Sequence, residues 1–133
     1  MITVKNPAAE VFQTWKVAIE PIVGEGNYSM EQSAVIAKTP YARIYMMGAP
    51  GNRWDLEGNE SQVSVSFQSE SFAAGEYAIE DAYDIDAASH EVFTALGFRR
   101  IFGPELITNI DSNIKRVISR YRRNYSGDFL RQA

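Results

Sequence analysis

Between Glu60 and Leu96 the apolar residues change their period, and that change constrains the fold more than any other feature. Val63, Val65 and Phe67 alternate with Ser64, Ser66 and Gln68. Strict period two is the pattern of a strand with one buried and one wet face. Ala73, Ala74 and Gly75 break it. From Tyr77 the spacing is helical: Ala78, Ala82, Ile85, Ser89, Val92 and Leu96 share a side. Glu76, Glu80, Asp81, Asp84, Asp86 and Glu91 make the opposite face and the first turns acidic, where carboxylates complement the helix dipole. Gly97 suits the left-handed position after a helix end. The reading is a strand over Glu60–Phe72 and a helix over Glu76–Leu96.

The rest of the chain divides in the same way. Asn6 caps and Pro7 opens a helix in which Val11, Trp15, Ala18, Ile19 and Ile22 recur at helical spacing. The reading places it over Pro7–Glu20, ended by Pro21 and Gly24. Gly24–Ser33 is a polar loop, and Ala34–Ala37 reads as a short strand. Tyr41–Met47 alternates with apolar residues on both faces, so a central or doubly covered strand is expected. Gly48–Asn59 reads as a hairpin arm that carries Trp54 and Leu56. Phe98–Ile107 is a strand interrupted by Gly103 and Pro104, which argues for an edge or a bulge. Ile114–Tyr125 is a long last strand. Its Ile114, Arg116, Ile118, Arg120 and Arg122 alternate with Lys115, Val117, Ser119, Tyr121, Arg123 and Tyr125. The order is α-β-β-α-β-β. The expected fold is α+β, one mainly antiparallel four-stranded sheet with two helices packed on one face. Residues 1–133 read as a single domain, with about 128–133 as a flexible tail.

Composition excludes several classes of chemistry. The 133 residues contain no cysteine, so disulfides, thiolate metal sites and a cysteine nucleophile are absent. Apolar residues at 45% and charged residues at 23% suit a globular chain. The N-terminus lacks an apolar run of signal-peptide length, and no stretch approaches a membrane helix; a soluble protein that stays where it is made is expected. Net charge is −4, but it is segregated. Residues 1–97 hold 5 basic and 14 acidic side chains, whereas residues 98–133 hold 8 and 3. A basic C-terminal quarter against an acidic remainder fits a solvated strand, packing between copies, or nucleic acid.

Catalytic motifs are not recognisable. His90, the only histidine, has no partner implied by spacing and reads as a surface or half-buried side chain. Asp84 and Asp86 lack the glycine and the final glutamate of a calcium loop. Gly48–Gly51 lacks the lysine of a phosphate loop. The basic last strand interleaves Lys115, Arg116, Arg120, Arg122 and Arg123 with Tyr121 and Tyr125, a weak signal for single-stranded nucleic acid. No enzyme and no cofactor is expected. Large apolar groups on an arm need a cover, either their own sheet or a neighbouring subunit.

Several segments together carry a resemblance: Tyr41–Gly48 (YARIYMMG), Leu56–Glu60 (LEGNE) leading into Val63–Phe67 (VSVSF), Ala82–Asp86 (AYDID), Leu96–Arg100 (LGFRR) with Gly103 and Pro104, and Ser119–Tyr121 (SRY). With the element order, this pattern resembles the tail terminator (tail-completion) proteins of tailed bacteriophages across nearly the whole chain. The resemblance implies a structural protein that forms a homo-oligomeric ring, usually a hexamer. Such a ring caps the tail tube at the head-proximal end of the virion, is assembled in the bacterial host cytoplasm, and meets the tail tube protein and the head-side connector protein. DNA would be present only as passing genome, and no membrane is involved. A head–tail connector or head-completion subunit would carry a similar signature, and a nucleic-acid-binding module is the reading from another class. The candidate interface or lumen residues are Arg53, Trp54, Leu56, Asp84, Asp86, Lys115, Arg116, Arg120, Arg122 and Arg123.

Overall fold

A computed structural model describes residues 8–30, 39–48, 51–54, 60–107 and 114–125. The elements in chain order are α1 (Ala8–Val23), β1 (Tyr28–Ser29), β2 (Tyr41–Gly48), β3 (Gly51–Trp54), β4 (Glu60–Ala74), α2 (Ala78–Ala95), β5 (Arg99–Ile107) and β6 (Ile114–Tyr125). The fold is α+β. The anticipated strand Ala34–Ala37, the cap at Asn6 and Pro7, and the tail 128–133 lie outside the described residues.

Among the described residues the sheet has six strands and is mixed, which corrects the expected four-stranded, mainly antiparallel one. Its path is β1-β2-β4-β6-β5, with β3 paired to β4 beside that path. The four long strands of the path run antiparallel to one another in turn. β1 adds a parallel pair, Tyr28 opposite Ala42 and Ser29 opposite Arg43. Two residues are too few to show a period, so this strand has no sequence signal. β4 is 15 residues long and holds two partners along one edge. Residues Ser66–Phe72 face β2, and Glu60–Val63 face β3, with the register shifting near Gly48 and within β3. β5 is an edge strand with its register broken around Gly103 and Pro104, as the proline suggested. Gly103 has φ +88°, and a Cβ there would stand 2.4 Å from the Ile118 carbonyl oxygen, so only glycine lets β5 approach β6.

α1 continues past Pro21 to Val23, which corrects the expected end at Glu20. Pro21 lies on the exposed side and its missing N–H forgoes only a bond to the Val17 carbonyl, on a turn open to solvent. Gly24, at φ +100°, then ends the helix, its N–H donating to the Glu20 carbonyl at 2.8 Å.

Both helices pack on one face of the sheet. Val11, Trp15 and Ile19 of α1 and Ile85 and Phe93 of α2 meet Ala42, Ile44, Val65, Phe67 and Tyr121 of the strands. Phe93 stacks on Tyr121 at 4.5 Å and meets Phe98 edge-on at 5.2 Å. Burying each large side chain contributes about 1.5–3 kcal/mol. Among the described residues no helix is long and apolar enough to cross a membrane.

Candidate functional site: the open sheet face

Helix-facing and outward residues alternate along each strand, so the register defines what the second face carries. It is built of cross-strand rows. Tyr41, Phe72, Arg116 and Ile107 form one; Arg43, Glu70, Ile118 and Glu105 the next; Tyr45, Gln68, Arg120 and Phe102 the third; Ser66, Arg122 and Arg99 the fourth. Among the described residues neither helix covers this face. Five arginines against Glu70 and Glu105 leave it basic.

The side chains form a connected array. Glu70 is 2% exposed, and Tyr41, Phe72, Gln68 and Ile118 on the same face are buried as well. Arg43 lies over it, with Nε 2.9 Å and Nη2 2.7 Å from Glu70 Oε1, and Arg116 Nη1 is 3.6 Å from the same oxygen. The Tyr45 hydroxyl (3.0 Å) and the Gln68 amide (2.6 Å) donate to Glu70 Oε2. Arg120 Nε donates to Gln68 Oε1 at 2.8 Å. The Arg43 guanidinium lies over the Phe72 ring at 5.1 Å and the Arg120 guanidinium over Phe102 at 5.0 Å. Burial, then the Glu70 charge, push the Tyr45 phenol up to about 12. Gln68 was expected on a wet face; Gln68 and Glu70 are instead buried beneath arginine side chains.

The predicted basic strand is therefore split. Arg116, Arg120 and Arg122 share the open face. Lys115 sits opposite Ala73 on the helix-facing side and lines a cavity of about 380 Å³ with Glu76, Tyr77 and Glu80. Arg123 also faces the helices, and its Nη1 donates to the Leu96 carbonyl at the end of α2, satisfying a carbonyl the helix leaves free. Lys115 and Arg123 thus lie apart from those three arginines, on the opposite side of the sheet. Arg53 and Trp54 belong to β3, opposite Gln62 and Glu60. Leu56 lies outside the described residues.

Asp84 is exposed, as expected, but Asp86 is not. It is 2% exposed and points into the helix–sheet interface, which corrects its assignment to the outer acidic face. Ser119 Oγ donates to Asp86 Oδ1 at 2.8 Å, and Arg100 Nη2 donates to Oδ2 at 3.1 Å. Arg100 also donates to the Tyr121 hydroxyl at 3.1 Å, which lies 3.4 Å from His90 Nδ1. Burial pushes the Asp86 carboxyl above its ordinary value against the pull of Ser119 and Arg100. Burial likewise raises the Tyr121 phenol. His90 is half-buried, as read, but it has a partner in Tyr121, which its sequence context did not reveal. The carboxylate is held by donors of its own chain on two strands, the arrangement of a structural ion pair.

Neither a family model nor a curated protein matches the chain. The geometry therefore carries the functional argument. Among the described residues no group of three His, Cys, Asp or Glu is placed to hold a metal ion. The outer face of α2 is a second charged surface among the described residues. Glu80, Asp81, Asp84 and Glu91 are exposed on it, beside the exposed apolar side chains of Tyr77, Ile79 and Tyr83.

Proposed function

We propose that this chain is a self-associating structural subunit of a virion, a tail terminator whose copies form a ring that caps a phage tail tube and joins it to the head-side connector. The observation that supports the reading is the pairing of two unlike surfaces on one chain: a basic sheet face left open by both helices, and an acidic helix face turned away from it. Unlike surfaces make heterologous contacts, which close into rings when the rotation between copies is right. Complementary charge fixes the register of such contacts. The element order and the segments that resemble tail terminators supply the rest, including six copies as the expected ring size. The test is electron microscopy of the purified chain, alone and with tail tubes. Rings, alone or seated at one tube end, are expected; monomers in both samples contradict the reading, and particles at the head-completion position reassign it to a connector.

A second reading has a specific observation behind it. Asp86, Arg100, Tyr121 and His90 bring a carboxyl of raised pKa into one network with a histidine, the kind of coupling from which acid–base sites are made. Against it, both Asp86 oxygens already accept bonds from this chain. A His90→Ala variant that still forms rings keeps the network structural.

A further inference from the structure

Resting on the assembly reading, we infer that α2 of one copy seats across β6 on the open sheet face of the next, its acidic row lying along Arg116, Arg120 and Arg122. Three observations carry this.

The first is spacing. A helix rises about 1.5 Å per residue, so Glu80 and Asp84 stand about 6 Å apart along α2, and Asp84 and Glu91 about 10 Å. A strand rises about 3.4 Å per residue, so Arg122 and Arg120 stand about 7 Å apart along β6, and Arg120 and Arg116 about 14 Å. Run antiparallel, the two rows match to within the reach of an arginine side chain. Positions 80, 84 and 91 also share one helix side, being separated by four and seven residues.

The second is layering. α1 and α2 cover one face of the sheet, and among the described residues neither covers the other. On that other face Tyr41, Phe72, Glu70 and Ile118 are already buried, while Arg122 and Arg99 are exposed; a helix from a second copy laid along the exposed arginines buries Ile79 and Tyr83 beside its acids.

The third concerns the aromatic rings. A face that binds single-stranded nucleic acid offers free rings for bases to stack on. Here the Phe72 and Phe102 rings are occupied by the guanidiniums of Arg43 and Arg120, and the Tyr45 hydroxyl is tied to Glu70. The Arg120 guanidinium, held by the Phe102 ring and by Gln68, is preorganised for a carboxylate.

A charge exchange tests the contact. Two full-length variants are made, E80K/D84K and R120E/R122E, and their association is measured by sedimentation beside the parent chain. Folding of each is checked by circular dichroism and thermal melting. Each variant alone is expected to lose association at least tenfold, because like charges then meet. Mixed in equal amounts they are expected to recover it in complexes of alternating composition, since the lysine-bearing helix of one meets the glutamate-bearing sheet of the other. Unaltered association of both folded variants overturns the helix-on-sheet contact while leaving self-assembly standing. A loss that mixing does not repair also overturns it. Retention of a single-stranded oligonucleotide on the arginine face, with E80K/D84K associating as before, overturns it in favour of nucleic acid. A parent chain that stays monomeric at high concentration and with tail tubes removes the assembly reading itself.

Discussion

Asp86 is held by a hydroxyl from β6 and a guanidinium from β5, and its energetics depend on both. Its folded pKa is raised, so the stabilisation from its neutral form is full below the ordinary value of 3.8 and is lost as pH rises through the folded value. Arg100 opposes that loss. Arg100→Met is expected to destabilise the protein by about 2–3 kcal/mol at pH 7 and by clearly less at pH 4, read from urea denaturation at the two pH values. An equal loss at both contradicts the pairing. Gly103→Ala is expected to cost about 2 kcal/mol or more, because the new methyl meets the Ile118 carbonyl in a backbone region that suits glycine; thermal melting measures it. The charge of Asp86 suggests the outer face, but its position places it inside. It lies four residues after Ala82 and three before Ser89, inside the buried stripe of α2, and that spacing was the available signal. Its partners Arg100, Ser119 and Tyr121 come from other strands, so spacing along the helix could not name them.

At the level of elements, period two and period 3.6 located four strands and both helices within a few residues, because each presents a long apolar face to one core. β1 escaped since two residues carry no period. α1 was cut short at Pro21, where an exposed proline costs the helix little. Pro21→Ala is accordingly expected to change stability by about 1 kcal/mol or less, the regained helix bond being offset by a freer unfolded chain; a loss above about 2 kcal/mol on thermal melting contradicts this account. Within β6 the alternation was legible, and it separated Arg116, Arg120 and Arg122 from Lys115 and Arg123. The array on the open face was not. Arg43, Glu70 and Arg120 are brought together by the order β2-β4-β6, which no local pattern encodes. Tyr45→Phe removes a donor to a buried carboxylate in that array and is expected to cost about 1–2 kcal/mol by urea denaturation; no loss would mean that the Glu70 network is dispensable.

For the whole molecule, part of the sequence's segregated charge lies, among the described residues, on two separate surfaces. The basic one is the open sheet face; the acidic one is the outer side of α2. If their attraction holds copies together, salt weakens it. Raising ionic strength from about 0.05 to about 0.5 M is expected to reduce self-association at least tenfold, since exposed pairs are then screened within a few ångströms. The absence of cysteine permits a more direct measurement. A chain carrying Asp84→Cys together with Arg120→Cys forms disulfides between positions 84 and 120 of different copies where α2 of one lies on β6 of another, beyond the like-with-like pairs open to each single variant. Mild oxidation is expected to give a ladder of covalent multimers that stops at one closed species, while each single variant gives dimers at most. A double variant that yields monomers alone, or only the dimers of the single variants, contradicts the account.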